Sequence, residues 1–425
     1  MNKGTPPAGA SGYRPRVIDA QVREALEIFG GLLIEGPKWC GKTSTGLHHS
    51  RSVLYVGDEN SAEMARMDPS LALEGERPLL VDEWQDAPVL WDVARREIDL
   101  SGKAGMYIFT GSSVPPKGST HHTGTGRFAR LRMRPMSLYE SGDSSGAVSL
   151  SRLFDGVEVA SMKSEMGYRK AVSLICRGGW PGALGMDDGR AMQIPREYVR
   201  AIADSDISRA DGRKRSRTNT DLLLRSLARN CATPVKVSVL ADDLREGGSQ
   251  ITPNTVSGYL DALKSIFVIE EQSAWAPMLR SRSRIRTSPK RHFADSSLAA
   301  AALKASPEIL ARDPNTAGFL FESLCFRDLS AYASAAKGDV YHYRDNTGLE
   351  VDEVIELSDG RWGAIEVKMG TSEFDKGADS LLSLAEKVRD RMGPPSFLAI
   401  LTATSGFSYV RGDGVSVIPI DLLGP

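Results

Sequence analysis

The sequence predicts an α/β protein: a parallel sheet first, then a helical region, then a second α/β domain at the C-terminal end. Three observations carry this. Short apolar runs alternate with helical or loop segments from Leu32 to about Glu140, the pattern of a parallel sheet wrapped by helices. The stretch GPKWCGKT sits just after the apolar run Leu32-Leu33-Ile34. Near the end, the acid-bearing stretch GFLFESLCFRDL precedes VYHYRDNTGLEVDEVIELSDGRWGAIEVKMG, which alternates as a β-hairpin does.

The candidate strands of the first domain are Leu32 to Glu35, Ser52 to Val56, Pro78 to Asp82, Met106 to Thr110 and Ala129 to Met133. GPKWCGKT fits GxxxxGK[ST], and the strand before it and Ser44-Thr45-Gly46-Leu47 after it give the motif its expected context. A P-loop NTPase sheet is therefore expected. Gly36 and Gly41 let the backbone curl so that its N–H groups face phosphate oxygens, which makes Gly36, Pro37, Lys38, Trp39, Cys40, Gly41, Lys42, Thr43 and Ser44 the candidate nucleotide-binding residues. Only the backbone of Trp39 and Cys40 is required. Lys42 would reach the β and γ phosphates of ATP, and the Thr43 hydroxyl would ligate Mg²⁺. At the end of the third strand, in RPLLVDEWQ, Asp82 would hold the metal through water and Glu83 would polarise the attacking water. The next strand, MYIFTGSS, offers Thr110 or Ser112 to the γ phosphate or the lytic water.

These residues, with TGRFARLRMRPMSLYE after them, resemble the N-terminal module of a prokaryotic family of AAA-type ATPases that carry an additional C-terminal domain. The resemblance implies Arg127 as a candidate γ-phosphate arginine, in cis or offered to a neighbouring subunit, with Arg130, Arg132 and Arg134 as competitors. A role in trans would imply a homo-oligomer.

From about Ser151 to Thr220 the chain reads as amphipathic helix. RGGWPGAL and YVRAIADSDISR fall there, resemble the linking region of the same family, and suggest no chemistry, Trp180 being read as a packing residue. Asp221 to Trp275 reads as helix, helix, turn, helix and then the strand Ile266 to Ile269, with Thr252-Pro253 opening the last helix. That is the layout of a winged helix. Asn254, Thr255, Ser257, Tyr259 and Lys264 would line a helix able to enter a DNA groove, and Arg280, Arg282, Arg284 and Arg286 would make one cationic strand face. A packing role is the equal alternative.

In the C-terminal hairpin, a three-residue loop at Ser358 to Gly360 would set Leu357 opposite Arg361 and Asp352 opposite Glu366, with Lys368 on the same face. The other face would carry Val351, Ile355, Leu357, Ile365 and Val367. A two-residue loop would shift the register by one and remove the pairing. The order of helix acid, Asp352 and Glu366-Val-Lys368 resembles the restriction-endonuclease-like superfamily. That resemblance implies Asp352, Glu366 and a supporting Glu322 as metal ligands and Lys368 as the residue orienting water.

The expected division is a disordered start over 1–15, the P-loop domain over 16–145, a helical linker over 146–218, a winged-helix-like module over 219–296 and a nuclease-like α/β domain over 297–425. A net charge of -1 excludes a globally basic nucleic-acid binder. Four cysteines without a CxxC pair indicate neither zinc nor a disulfide framework. No apolar run reaches the roughly 18 residues of a membrane span, so a cytoplasmic location is expected. The functional expectation is an Mg²⁺-dependent ATPase whose nucleotide state controls a nuclease-like or DNA-binding half; the alternative is a non-cutting switch acting on protein partners or DNA.

Overall fold

The computed structural model describes residues 3–4, 12–57, 59–114, 122–277 and 288–425 of the chain. The chain forms two compact units, neither continuous in sequence: Met1–Pro135 with Ser205–Lys214 and Ala262–Val268, and Met136–Asp204 with Arg215–Asp261 and Ile269–Pro425.

The first unit is built on β2 (Gly31–Glu35), β3 (Ser52–Tyr55), β4 (Leu79–Asp82), β5 (Tyr107–Gly111) and β6 (Phe128–Arg132), all parallel, with the short β1 (Lys3–Gly4) antiparallel against β3. The order is β1-β3-β4-β5-β2-β6. All five parallel strands fall where the apolar runs predict them. Those runs are continuous rather than alternating because both faces of the sheet are covered. Leu33, Val81 and Phe109 pack with Trp84, Trp91 and Phe128 on one side. Their chain neighbours Leu32, Leu80 and Ile108 pack with Val22, Val53 and Met133 on the other. This order places β5 between β2, which feeds the P-loop, and β4, which ends in Asp82.

In the second unit β7 (Val148–Ser149) pairs in parallel with Leu423–Gly424, and the helices Arg217–Arg229 and Val237–Glu246 precede an antiparallel pair, β8 (Ile269–Gln272) and β9 (Lys290–Phe293), with Glu270 opposite His292. The helix Pro253–Ser265 lies between them in the chain. The predicted stripe of Arg280, Arg282, Arg284 and Arg286 lies outside the described residues.

The C-terminal part is a mixed six-stranded sheet. Its strands are β10 (Gly338–Arg344), β11 (Glu350–Leu357), β12 (Trp362–Lys368), β13 (Leu398–Thr402), β14 (Tyr409–Val410) and β15 (Ser416–Pro419), in the order β10-β11-β12-β13-β15-β14. Helix Pro314–Ala335 packs on β10, β11 and β12, and helix Phe374–Met392 on β11, β12 and β13. The hairpin takes the three-residue loop: Gly360 has φ 87°, and the Leu357 N–H donates to the Arg361 carbonyl at 2.8 Å. Glu353 pairs with Ile365 and Glu356 with Trp362, so the same register sets Asp352 opposite Glu366.

The face of Val351, Ile355, Leu357, Ile365 and Val367 also carries Glu353, which is fully buried and accepts a 2.5 Å hydrogen bond from Gln272 Nε2. The opposite face is covered as well, with Val354, Trp362 and Ala364 buried. Among the described residues no helix is long and apolar enough to cross a membrane.

Candidate functional site

The loop after β2 has the geometry its glycines predict. Gly41 sits in the left-handed region at φ 105°, immediately before helix Lys42–His49. A Cβ on Gly36 would lie 2.1 Å from the Met133 carbonyl oxygen, so the loop passes β6 too closely for any side chain. Trp39 adopts φ 63° without being glycine and stands 59% exposed. A non-glycine residue in that region costs of order 1 kcal/mol and persists where the surrounding structure dictates it. Here part of the surroundings is Arg16, whose guanidinium donates to the Cys40 carbonyl and to the Arg134 carbonyl, both at 2.8 Å. Sequence reasoning missed Arg16, because nothing in the motif marks a residue so far upstream. Lys42 is buried, and its ammonium donates to the Pro37 carbonyl at 2.8 Å.

Opposite the loop, hydroxyl and carboxylate oxygens converge. Asp82 Oδ1 accepts from Thr43 Oγ1 at 2.8 Å and from Thr110 Oγ1 at 2.5 Å. Thr110, at the tip of the intervening strand, also accepts the Glu83 N–H at 3.2 Å. Burial raises the pKa of Asp82 above the usual carboxylate value; the Thr110 and Thr43 hydroxyls work against that rise. Glu83 stands at φ 57°, and its Oε2 accepts from Ser112 Oγ at 2.8 Å and from Gln85 Nε2. Thr110 and Ser112 therefore both find work here, one on Asp82 and one on Glu83. Thr43 and Asp82 present hard oxygen donors side by side, which is the donor chemistry Mg²⁺ takes.

Arg127 is not brought to this group. It precedes β6 at the end of the sheet opposite the P-loop, about a full strand length away, roughly 15–20 Å. There its Nε donates to Asp99 Oδ1 at 2.7 Å. Of its competitors, Arg130 pairs with Glu35 at 3.6 Å and Arg132 lies over the Phe267 ring at 4.2 Å.

The stretch YVRAIADSDISR, expected to hold no chemistry, supplies a carboxylate to the loop: Asp206 Oδ1 accepts from Lys38 Nζ at 2.7 Å. Nothing in the sequence could pair them, since they lie 168 positions apart.

In the C-terminal domain Asp352, Glu366 and Lys368 share one face of the hairpin, as the register requires. Lys368 Nζ lies 3.1 Å from Asp352 Oδ2 and also pairs with Glu366. A second ammonium completes the cluster. Lys290, on β9 and 2% exposed, donates to Glu322 Oε1 at 2.7 Å and lies 3.5 Å from Asp352 Oδ1. Burial by itself would raise Asp352, but Lys290 and Lys368 overcome it and hold the carboxyl down at about 2. Burial pushes Glu322 up to about 7 against the pull of Lys290. Burial and then the charge of Asp352 drive Glu366 well above the usual range.

The three carboxylates proposed as metal ligands are thus engaged by two ammonium groups. Among the described residues no group of three or more His, Cys, Asp or Glu side chains is arranged to hold a metal ion. Lys368 and Lys290 thus lie against the carboxylate oxygens that a divalent cation would need.

Three family models match parts of this chain. Residues 30–141 match a family model described as an AAA domain, residues 168–309 one described as a domain of unknown function, DUF8612, and residues 317–423 another, DUF4143. No curated protein matches. Among solved structures, a Walker-type ATPase of Pyrococcus abyssi is 16% identical over 69% of this chain and 99% of its own, with a TM-score of 0.43. The AMPPCP-bound DnaA from Aquifex aeolicus is 14% identical over 58% of this chain and 86% of its own, with a TM-score of 0.23. The first unit carries a P-loop domain of AAA type. The C-terminal part is a mixed-sheet domain.

Proposed function

We propose that this chain binds and hydrolyses ATP with Mg²⁺, and that its nucleotide state governs a C-terminal domain that does not itself cut nucleic acid. The observation that carries the first half is the convergence of Thr43, Thr110 and Asp82 beside Glu83, facing the P-loop and its Lys42. Thr43 and Asp82 would hold Mg²⁺, which would draw charge from the phosphates. Lys42, Ser44 and the loop N–H groups would bind the phosphates, and Glu83, fixed by Ser112 and Gln85, would take the proton of the attacking water. A role for Arg127 in this chain's own site does not fit its placement; a role toward a neighbouring copy would require an oligomer.

The second half rests on the lysines. Nuclease chemistry of the kind the hairpin resembles needs carboxylates free to grip a metal against a phosphate. Here Lys368 stands between Asp352 and Glu366, and Lys290 takes Glu322. Supercoiled plasmid incubated with the purified chain and Mg²⁺ or Mn²⁺ is expected to stay intact, with or without ATP. Nicking that disappears in both Asp352→Ala and Lys368→Ala would establish the cutting reading in its place. For the nucleotide-governed reading, binding to DNA or to a protein partner should differ between ATP and ADP; indifference to the nucleotide would remove the coupling.

A further inference from the structure

The Lys38–Asp206 contact joins the P-loop to a distant part of the chain, and the two members are unequal. The Asp206 side chain is 10% exposed and the Lys38 side chain 44%. The carboxylate is the fixed member, since it closes the π-form turn Ile202–Asp206, at which helix Gln193–Ala201 widens before continuing as Ile207–Asp211. Single π-turns within α-helices take up one extra residue, re-aim side chains and recur at functional sites. Here the turn ends on the residue that reaches the P-loop.

Three residues on, Arg209 is exposed and makes no hydrogen bond or ion pair among the described residues, yet its charge is felt by Asp86 just after Glu83. Residues at i and i+3 share a helix face. Asp206 therefore has a second cation within reach on its own helix should Lys38 leave it.

Resting on the ATP-binding reading, we propose that Asp206 is a positioning residue of the nucleotide site, which shares Lys38 with the outermost phosphates of the bound nucleotide. Lys38 belongs to the loop whose backbone surrounds those phosphates, and its long stem lets the ammonium move between acceptors. ATP carries one more anionic phosphate than ADP and competes for that ammonium more strongly. The carboxylate thus lowers the affinity of the loop for both nucleotides, and Lys38 supplies part of their discrimination.

Asp206→Asn removes the competing charge at constant shape, so ATP should bind roughly two- to fivefold more tightly, the range expected of a partly exposed ion pair. ADP should gain less. Asp206→Glu should restore the ATP to ADP ratio of the parent, and Lys38→Met should make the Asp206→Asn change silent. A merely structural Asp206 would lower the unfolding temperature and weaken both nucleotides alike, in the Lys38→Met background as well.

The measurement is the dissociation constant of Mg-ATP and of Mg-ADP for the full chain, its single variants and the Lys38→Met/Asp206→Asn double variant, by calorimetry. ATP binding with an unchanged ATP to ADP ratio in Asp206→Asn, or an Asp206→Asn effect that persists with Lys38→Met, overturns the role of Asp206 alone. A parent chain that binds neither nucleotide overturns the site reading together with it.

Discussion

Lys42→Ala is expected to abolish measurable ATP turnover, and Glu83→Gln to retain ATP binding while slowing turnover by roughly 10²–10⁴-fold, the usual contribution of a general base. The two variants fail for different reasons. Lys42 is buried in the loop and offers its ammonium where phosphate charge develops, so its removal weakens nucleotide binding in addition to taking away a preorganised donor whose loss alone costs on the order of 10²–10³ in rate. Among the described residues Glu83 makes no hydrogen bond or ion pair with the loop or with Thr43. It is set by its own backbone N–H on Thr110 and by the side chains of Ser112 and Gln85 on its carboxylate. Glu83→Gln keeps the shape and removes the base, so a nucleotide should still bind. Steady-state phosphate release and nucleotide binding, measured on the same preparations, separate the two. Normal turnover in both variants would place hydrolysis elsewhere or remove it from the protein.

The supports of Glu83 lead to a second expectation of smaller size. Ser112→Ala and Gln85→Ala each remove one hydrogen bond from Oε2 and should lower turnover by less than Glu83→Gln does, with binding unchanged. A drop in binding instead would mean that these side chains shape the phosphate loop rather than the base.

The P-loop, its partner strand and the hairpin were legible because each is local. GPKWCGKT specifies a turn and a helix start within eight residues. The hairpin register follows from period two and one left-handed glycine, Gly360. Contacts set by tertiary folding were not legible. Lys290 looks like any strand lysine until β9 is placed beside helix Pro314–Ala335, 32 residues on, where Glu322 meets it. Asp206 lies in a stretch with ordinary amphipathic spacing, and only the fold carries it back to Lys38. The division into two units was hidden for the same reason: Ser205–Lys214 and Ala262–Val268 return to the first unit as short pieces without a composition shift to mark them. Arg127 shows the converse. A motif places it in sequence, but the direction of β6 puts it at the far end of the sheet.

Lys290 also gives the largest expected effect on folding. Lys290→Met keeps most of the volume and apolar stem but leaves Glu322, and part of the charge of Asp352, without its buried counter-ion. Breaking a buried pair by removing one partner typically costs about 3–5 kcal/mol. The loss should depend on pH, and its sign follows from Glu322. In the parent this carboxyl already holds its proton up to about 7, against about 4.3 for an unfolded glutamate. A raised acid contributes stability that is present below its unfolded value and is lost as pH rises through its folded value. Without Lys290 the folded value moves higher still. The penalty of Lys290→Met should therefore rise from pH 5, where Glu322 is protonated and only Asp352 is left short of a counter-ion, to pH 8, by about 1.4 kcal/mol for each pH unit above 7. Urea unfolding of the parent and variant at the two pH values measures it. Lys290→Met/Glu322→Leu, which removes both charges, should recover much of the loss at pH 8. A penalty equal at both pH values, or no recovery in the double variant, would show that the Lys290 ammonium does not serve to neutralise Glu322. In that case the closed salt cluster would no longer argue against metal binding by Asp352 and Glu366.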